Sequence, residues 1–70
     1  PRGKIKKGVF SLIRPPYKLI YYLPSKDYEF YDIEEDPFES LNLKGEFQKI
    51  EKDLVERLTN HIKTMNLELN

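Results

Sequence analysis

Seventy residues with no cysteine and a single histidine make one small domain with no disulfide framework, no thiolate metal site and no site that needs two histidines. A domain near this size buries only about 60% of the surface its unfolded chain exposes, so its stability must come from apolar packing, a partner or further chain. Basic and acidic residues cancel at twelve each, and a hydrophobic content of 39% with five tyrosines and four phenylalanines is ample for a core, which excludes disorder of the central part.

The opening stretch, PRGKIKKG, lacks the apolar run of a signal peptide, and no stretch approaches the roughly 20 apolar residues that cross a bilayer. Residues 1–7 read as a flexible basic arm. A first residue that is Pro rather than Met suggests a piece of a longer protein. The neutral total hides an uneven layout. Arg2, Lys4, Lys6, Lys7, Arg14, Lys18 and Lys26 occupy residues 1–26 without an acid, whereas Asp27, Glu29, Asp32, Glu34, Glu35, Asp36 and Glu39 occupy residues 27–39 without a base. Strand pairing between the two halves predicts solvated cross-strand charge pairs, each worth about 0.2–1 kcal/mol. That reading is preferred to a nucleic-acid patch.

GVFSLI, residues 8–13, is an apolar run after a glycine and predicts a first strand. RPPYK breaks it: Pro15 and Pro16 remove two backbone donors and mark a turn or edge crossing. YKLIYYL, residues 17–23, is the strongest strand signal, with Tyr17, Leu19, Tyr21 and Leu23 on one face and Ile20 and Tyr22 on the other, both faces partly covered. PSKD supplies turn chemistry, and YEFYDI follows at hairpin distance, so residues 17–33 read as an antiparallel hairpin. EEDPFESLNLKG is a structured loop, because Pro37 biases Asp36 away from the α region. From about Glu46 the period turns helical: Phe47, Ile50, Leu54, Leu58, Ile62 and Met65 form a stripe with Val55 and His61 at its margin, and Asp53 and Arg57 stand four apart on the polar face. The resulting fold class is α+β, a small antiparallel sheet of three to four strands packed on one long C-terminal amphipathic helix, in a single subdomain over residues 8–66 with a frayed tail at 67–70.

The acids of residues 27–39 invite a calcium reading, but DIEEDPFESLNL has Phe38 near the place where an EF-hand loop needs glycine. No nucleophile or oxyanion donor accompanies them for acid–base catalysis, so a solvated loop with turn-forming aspartates is the simpler reading. His61 reads as a half-buried packing residue rather than a ligand or general base. Tyr17, Tyr21, Tyr22, Tyr28 and Tyr31 could form a stacking platform for single-stranded nucleic acid, although aromatics at strand spacing are more often cross-strand packing. The residues by themselves support a small α+β domain of interaction or structural type.

YKLIYY, residues 17–22, followed after a short turn by YEFYDIEEDPFESLNL, residues 28–43, resembles the C-terminal subdomain of the sulfatase family, arylsulfatase-like members of the alkaline phosphatase superfamily. There, a strand ending Tyr/Trp-Lys and two apolar residues leads to Glu-apolar-Tyr-Asp-Leu-x-x-Asp-Pro-x-Glu-x-x-Asn-Leu. Tyr17 and Lys18 match the strand end. Glu29, Tyr31, Asp32, Ile33, Asp36, Pro37, Glu39, Asn42 and Leu43 match the second signature at the same spacing. The resemblance covers residues 8–43 and extends to the helix. In the family an Arg-x-x-Arg often precedes the second strand, but here Arg14 is followed by Pro15, Pro16 and Tyr17, one residue shorter and without the second arginine. Arg14 is the one candidate for a residue bordering the substrate cleft.

The resemblance implies a non-catalytic part of a larger enzyme. Sulfatases hydrolyse sulfate esters with a formylglycine made from Cys or Ser in Cys/Ser-x-Pro-x-Arg and with a calcium ion held by Asp and Asn or Gln, all in a large N-terminal α/β domain. Neither cofactor is expected in this chain: Ser11, Ser25 and Ser40 are not followed by x-Pro-x-Arg. The implied partner is that catalytic domain of the same parent chain, with neither membrane nor nucleic acid expected, and family parents are periplasmic, extracellular or lysosomal in type. Two other readings stay open: an autonomous binding module for an anionic partner such as nucleic acid or a sulfated polysaccharide, and the tail of a related phosphodiesterase or phosphonate hydrolase.

Overall fold

The structure is a computed structural model that describes residues 7–69, with side chains through Met65; residues 1–6 of the expected basic arm, and Asn70, lie outside the described residues. Three strands, β1 (Gly8–Arg14), β2 (Tyr17–Leu23) and β3 (Tyr28–Asp32), form an antiparallel sheet in the order β1-β2-β3, and one helix, α1 (Gln48–Leu69), follows. This is the expected α+β arrangement with three strands. Pro15 and Pro16 make the tight turn that lets Arg14 lie opposite Tyr17, and the ladder then runs to Gly8 opposite Leu23. Two missing N–H groups cost nothing there, since neither proline belongs to the ladder. Between β2 and β3, Tyr22 donates its N–H to the Asp27 carbonyl and accepts from Lys26, which sits in the left-handed region at φ 64°.

Alternation sorts the side chains as the sequence predicts. Leu19, Tyr21 and Phe30 are buried beneath the helix, with Phe10, Leu12, Tyr17, Leu23 and Tyr28 partly buried beside them, and Leu54, Leu58 and Ile62 close the core from above. Each fully buried aliphatic side chain contributes about 1.5–3 kcal/mol, and these make up most of the apolar payload of the domain. The opposite face of the sheet is not covered by the helix. Val9 and Ile13 are 65% and 55% exposed there and Ser11 is exposed, but Ile20 and Tyr22 are half-buried and Tyr31 is buried, so both faces are at least partly covered, as expected.

The helix departs from the predicted stripe in three ways. It begins at Gln48, so Phe47 lies ahead of it, 40% exposed and tilted against the rings of Tyr17 and Phe30 at 5.7 and 6.3 Å. Ile50 is exposed and its place on the inner face is taken by Glu51, which is 1% exposed. His61 is exposed, not half-buried: with Leu58 and Ile62 inward, position 61 falls on the solvent side. The inner row is therefore Glu51, Leu54, Leu58 and Ile62, with Val55 and Met65 flanking. On the outer side Asp53 and Arg57 do pair, Nε to Oδ2 at 2.9 Å. The helix runs on to Leu69, into the stretch expected as a frayed tail.

Candidate functional site

The connection from β3 to α1, residues 33–47, carries most of the signature residues, and hydrogen bonds fix it at three places. Asp32 ends β3 and turns the chain: its Oδ1 accepts the N–H groups of Glu34 at 3.1 Å and Glu35 at 3.0 Å, while its carbonyl accepts from Asp36 at 2.8 Å. Ile33, half-buried, donates its N–H to the Pro16 carbonyl at 2.8 Å and so ties the loop to the β1–β2 turn. Asp36 is the second fixture. With Pro37 keeping it out of the helical region, its Oδ1 accepts from Ser40 N–H and Oγ–H at 3.1 and 2.8 Å, and its Oδ2 accepts from Leu41 N–H at 2.9 Å. The Ser40 and Leu41 N–H groups and the Ser40 hydroxyl hold the Asp36 carboxyl below its ordinary 3.8.

Asn42 and Leu43 are the third. Backbone groups of β3 alternate in direction. Ile33 N–H points inward to Pro16, which leaves Phe30 pointing outward from the sheet. There the Asn42 Oδ1 accepts Phe30 N–H at 3.0 Å and Lys44 N–H at 3.0 Å, and Leu43 N–H donates to the Phe30 carbonyl at 2.6 Å. A side-chain amide and one backbone N–H thus stand in for a fourth strand and close this edge, while Leu43 packs against the core.

The remaining signature residues gather on the open sheet face. Glu29 lies opposite Ile20, and its carboxylate accepts the hydroxyls of both Tyr22 and Tyr31. Those two hydroxyls hold the Glu29 carboxyl below 4.5, and the same hydrogen bond to Glu29, with burial, pushes Tyr31 up to about 12. Lys18 lies opposite Tyr31 and reaches Glu39, Nζ to Oε2 at 2.9 Å. Glu39 itself is in the left-handed region, φ 54°, and turns the loop back over this face. Beyond it Phe38 and Leu41 stand 91% and 63% exposed, and Pro37 is exposed. Tyr17, in contrast, belongs to the helix side, stacked on Phe30 at 5.1 Å, and Arg14 is exposed at the end of β1. Lys18, Glu29, Tyr31 and Glu39 are thus brought together, Asp32, Asp36, Asn42 and Leu43 build the loop behind them, and Arg14 and Tyr17 are held elsewhere.

Sequence reasoning missed Glu51. Its carboxylate accepts Gly45 N–H at 2.7 Å, Phe47 N–H at 2.7 Å and the Tyr28 hydroxyl at 2.8 Å, so it caps the start of α1 and ties it to β3. Burial disfavours its charge, but the N–H of Gly45, the Tyr28 hydroxyl and the N–H of Phe47 together outweigh that and hold the carboxyl below 4.5; Tyr28, desolvated and bonded to Glu51, rises to about 12. Lys44 lies over the Tyr28 ring at 4.7 Å and pairs with Asp27, whose carboxyl is held below 3.8 by that ammonium. A glutamate in the first helical turn after a glycine was the available signal; an apolar neighbour, Ile50, masked it.

Among the described residues the predicted cross-strand charge pairs do not form: Lys18 faces Tyr31, Glu29 faces Ile20 and Asp32 faces Tyr17, so none of these charges lies opposite one of the other sign. Asp32 and Asp36 instead bind backbone N–H groups, Glu29 binds tyrosine hydroxyls, and Glu39 and Asp27 pair with lysines that are not their ladder neighbours, Lys18 and Lys44. The tyrosines make no common platform either, since Tyr17, Tyr21 and Tyr28 lie on the helix side and Tyr22 and Tyr31 on the open side. Among the described residues no group of three or more His, Cys, Asp or Glu side chains could hold a metal ion; Asp32 Oδ1 and both Asp36 oxygens are turned to N–H donors. Among the described residues no helix is long and apolar enough to cross a membrane. No family model matches the chain, and neither a curated protein nor a solved structure matches it.

Proposed function

We propose that this chain is the non-catalytic C-terminal subdomain of a sulfatase-like hydrolase, docked on a catalytic domain of the same parent chain and completing its fold. The observation that carries the reading is the placement of the signature residues. Lys18 with Glu39 and Glu29 with Tyr31 form two bonded pairs, neighbours through the Lys18–Tyr31 register, on the sheet face that the helix leaves open, and Asp32, Asp36 and Asn42 rigidify the loop that carries Phe38 and Leu41. An exposed apolar knob on a braced loop, next to an open and partly apolar sheet face, suits a surface built to be covered. The catalytic formylglycine and its calcium ion belong to the parent's other domain, and this chain supplies scaffold only, with Arg14 as the candidate for reaching the cleft border.

The test is the parent coding sequence upstream of Pro1. A Cys or Ser followed by x-Pro-x-Arg within a long α/β-patterned region, with acidic calcium ligands, is the expected finding. Only a start codon or an unrelated domain there would overturn the reading. The isolated chain should not turn over an arylsulfate; activity of the pure chain would refute its non-catalytic role.

A further inference from the structure

The two outer edges of the sheet are built differently, and the difference points to a binding edge. On β3, Asn42 and Leu43 occupy the outward groups of Phe30. On β1 the outward groups can be assigned from the ladder. Tyr22 exchanges bonds with the β3 side, so on β2 it is Tyr17, Leu19, Tyr21 and Leu23 that face β1, opposite Arg14, Leu12, Phe10 and Gly8. The backbone groups of Val9, Ser11 and Ile13 therefore point away from the sheet, and all three residues are exposed. Natural edges are protected by charge, proline, bulges or cover. Gly8 to Ile13 contains no charge and no proline, Arg14 and the two prolines after it standing only at the far end of β1; the strand has no bulge in its register, and no described element lies alongside it.

We infer that β1 is a self-pairing edge: two copies of this chain join β1 to β1 antiparallel about Ser11, making one continuous sheet. The sequence of β1 is complementary to its own reverse. Ser11 meets Ser11 of the second copy, Val9 meets Ile13 and Phe10 meets Leu12, so apolar faces apolar on both sides of the sheet. The three outward residues fall in hydrogen-bonded pairs, each exchanging both N–H···O bonds. Charge also permits the union, because Val9 to Ile13 are uncharged and the one charge of β1, Arg14, falls opposite Gly8 of the second copy. The twofold axis runs through the sheet and puts both helices on the same side, where Phe10 and Leu12, each only partly buried in one copy, join the two cores. Since the β3 edge is closed, the assembly stops at two. The inference is independent of the sulfatase reading.

Sedimentation of the full 70-residue chain over a wide concentration range tests it, together with amide exchange. A monomer–dimer equilibrium is expected, with the Val9, Ser11 and Ile13 amides gaining protection as concentration rises while those of the β1–β2 ladder do not change. Ser11→Pro removes an outward donor without touching the ladder, and should leave a monomer. Ile13→Lys, at an exposed position that keeps the fold, should weaken association at least about tenfold. Both variants are checked for native circular dichroism, so that loss of pairing is distinguished from loss of fold. A chain that stays monomeric throughout, a dimer that survives both substitutions, or growth into larger species would each overturn the inference.

Discussion

Glu51 is the residue on which the joint between sheet and helix depends. A carboxylate at 1% exposure is costly to bury unless its oxygens are filled, and here Tyr28, Gly45 and Phe47 fill them. Gly45 reaches its place through φ 93°, a conformation open to glycine, and a side chain there would meet no neighbour, so the requirement is one of backbone angle alone. Glu51→Ala should orphan the Tyr28 hydroxyl and both N–H groups and lower unfolding free energy by about 2–3 kcal/mol in urea titration. Glu51→Gln should recover part of the loss, since its amide oxygen accepts but its NH2 faces donors. A loss below about 1 kcal/mol for the alanine variant would mean that water serves these groups as well as the carboxylate does.

At the level of elements the decisive contact is the loop on the edge of β3. Asn42→Ala leaves the N–H of Phe30, a fully buried residue, without its acceptor, and should cost about 1–3 kcal/mol, with faster exchange of the Phe30 amide as the specific sign. Unchanged exchange would show that Leu43 alone holds the edge. Strands β1, β2 and β3 were legible in the sequence because alternation and turn residues act locally: Tyr17, Leu19, Tyr21 and Leu23 could face only one way once YKLIYYL was extended. The loop's own turns were legible for the same reason, since Asp36 before Pro37 bonds within five residues. The helix face was less so. Ile50 and Glu51 are adjacent, hydropathy alone favours Ile50, and what puts Glu51 inside is its set of partners from Tyr28 and the 45–47 turn, contacts that no periodicity contains. The charge layout misled in a similar way, because the acids are met by backbone N–H, by phenol or by a lysine that is not their ladder neighbour.

Across the whole molecule the acids and tyrosines impose a pH profile whose sign can be worked out. Glu29 and Glu51 sit below 4.5, and Asp27 and Asp36 below 3.8, in the folded state. In the unfolded chain they protonate first as pH falls, so the unfolded state binds more protons and stability drops. Their contribution is complete above about pH 4.5 and is lost as pH falls through the lower folded values. Tyr28 and Tyr31 give the opposite limb. Raised from 10 to about 12, they keep their protons when the unfolded chain has lost them, so their contribution is complete below pH 10 and fades as pH rises toward 12. Urea midpoints measured across this range should show a plateau with a decline on each side. The two limbs share one joint, because Tyr28 and Glu51 bond to each other. Tyr28→Phe should therefore shrink the alkaline decline and also bring Glu51 closer to its ordinary value, narrowing the acid limb. A substitution that flattened the alkaline side and left the acid side untouched would mean that Gly45 and Phe47 hold the carboxylate without help from the sheet, and that the helix start would fold the same way on its own.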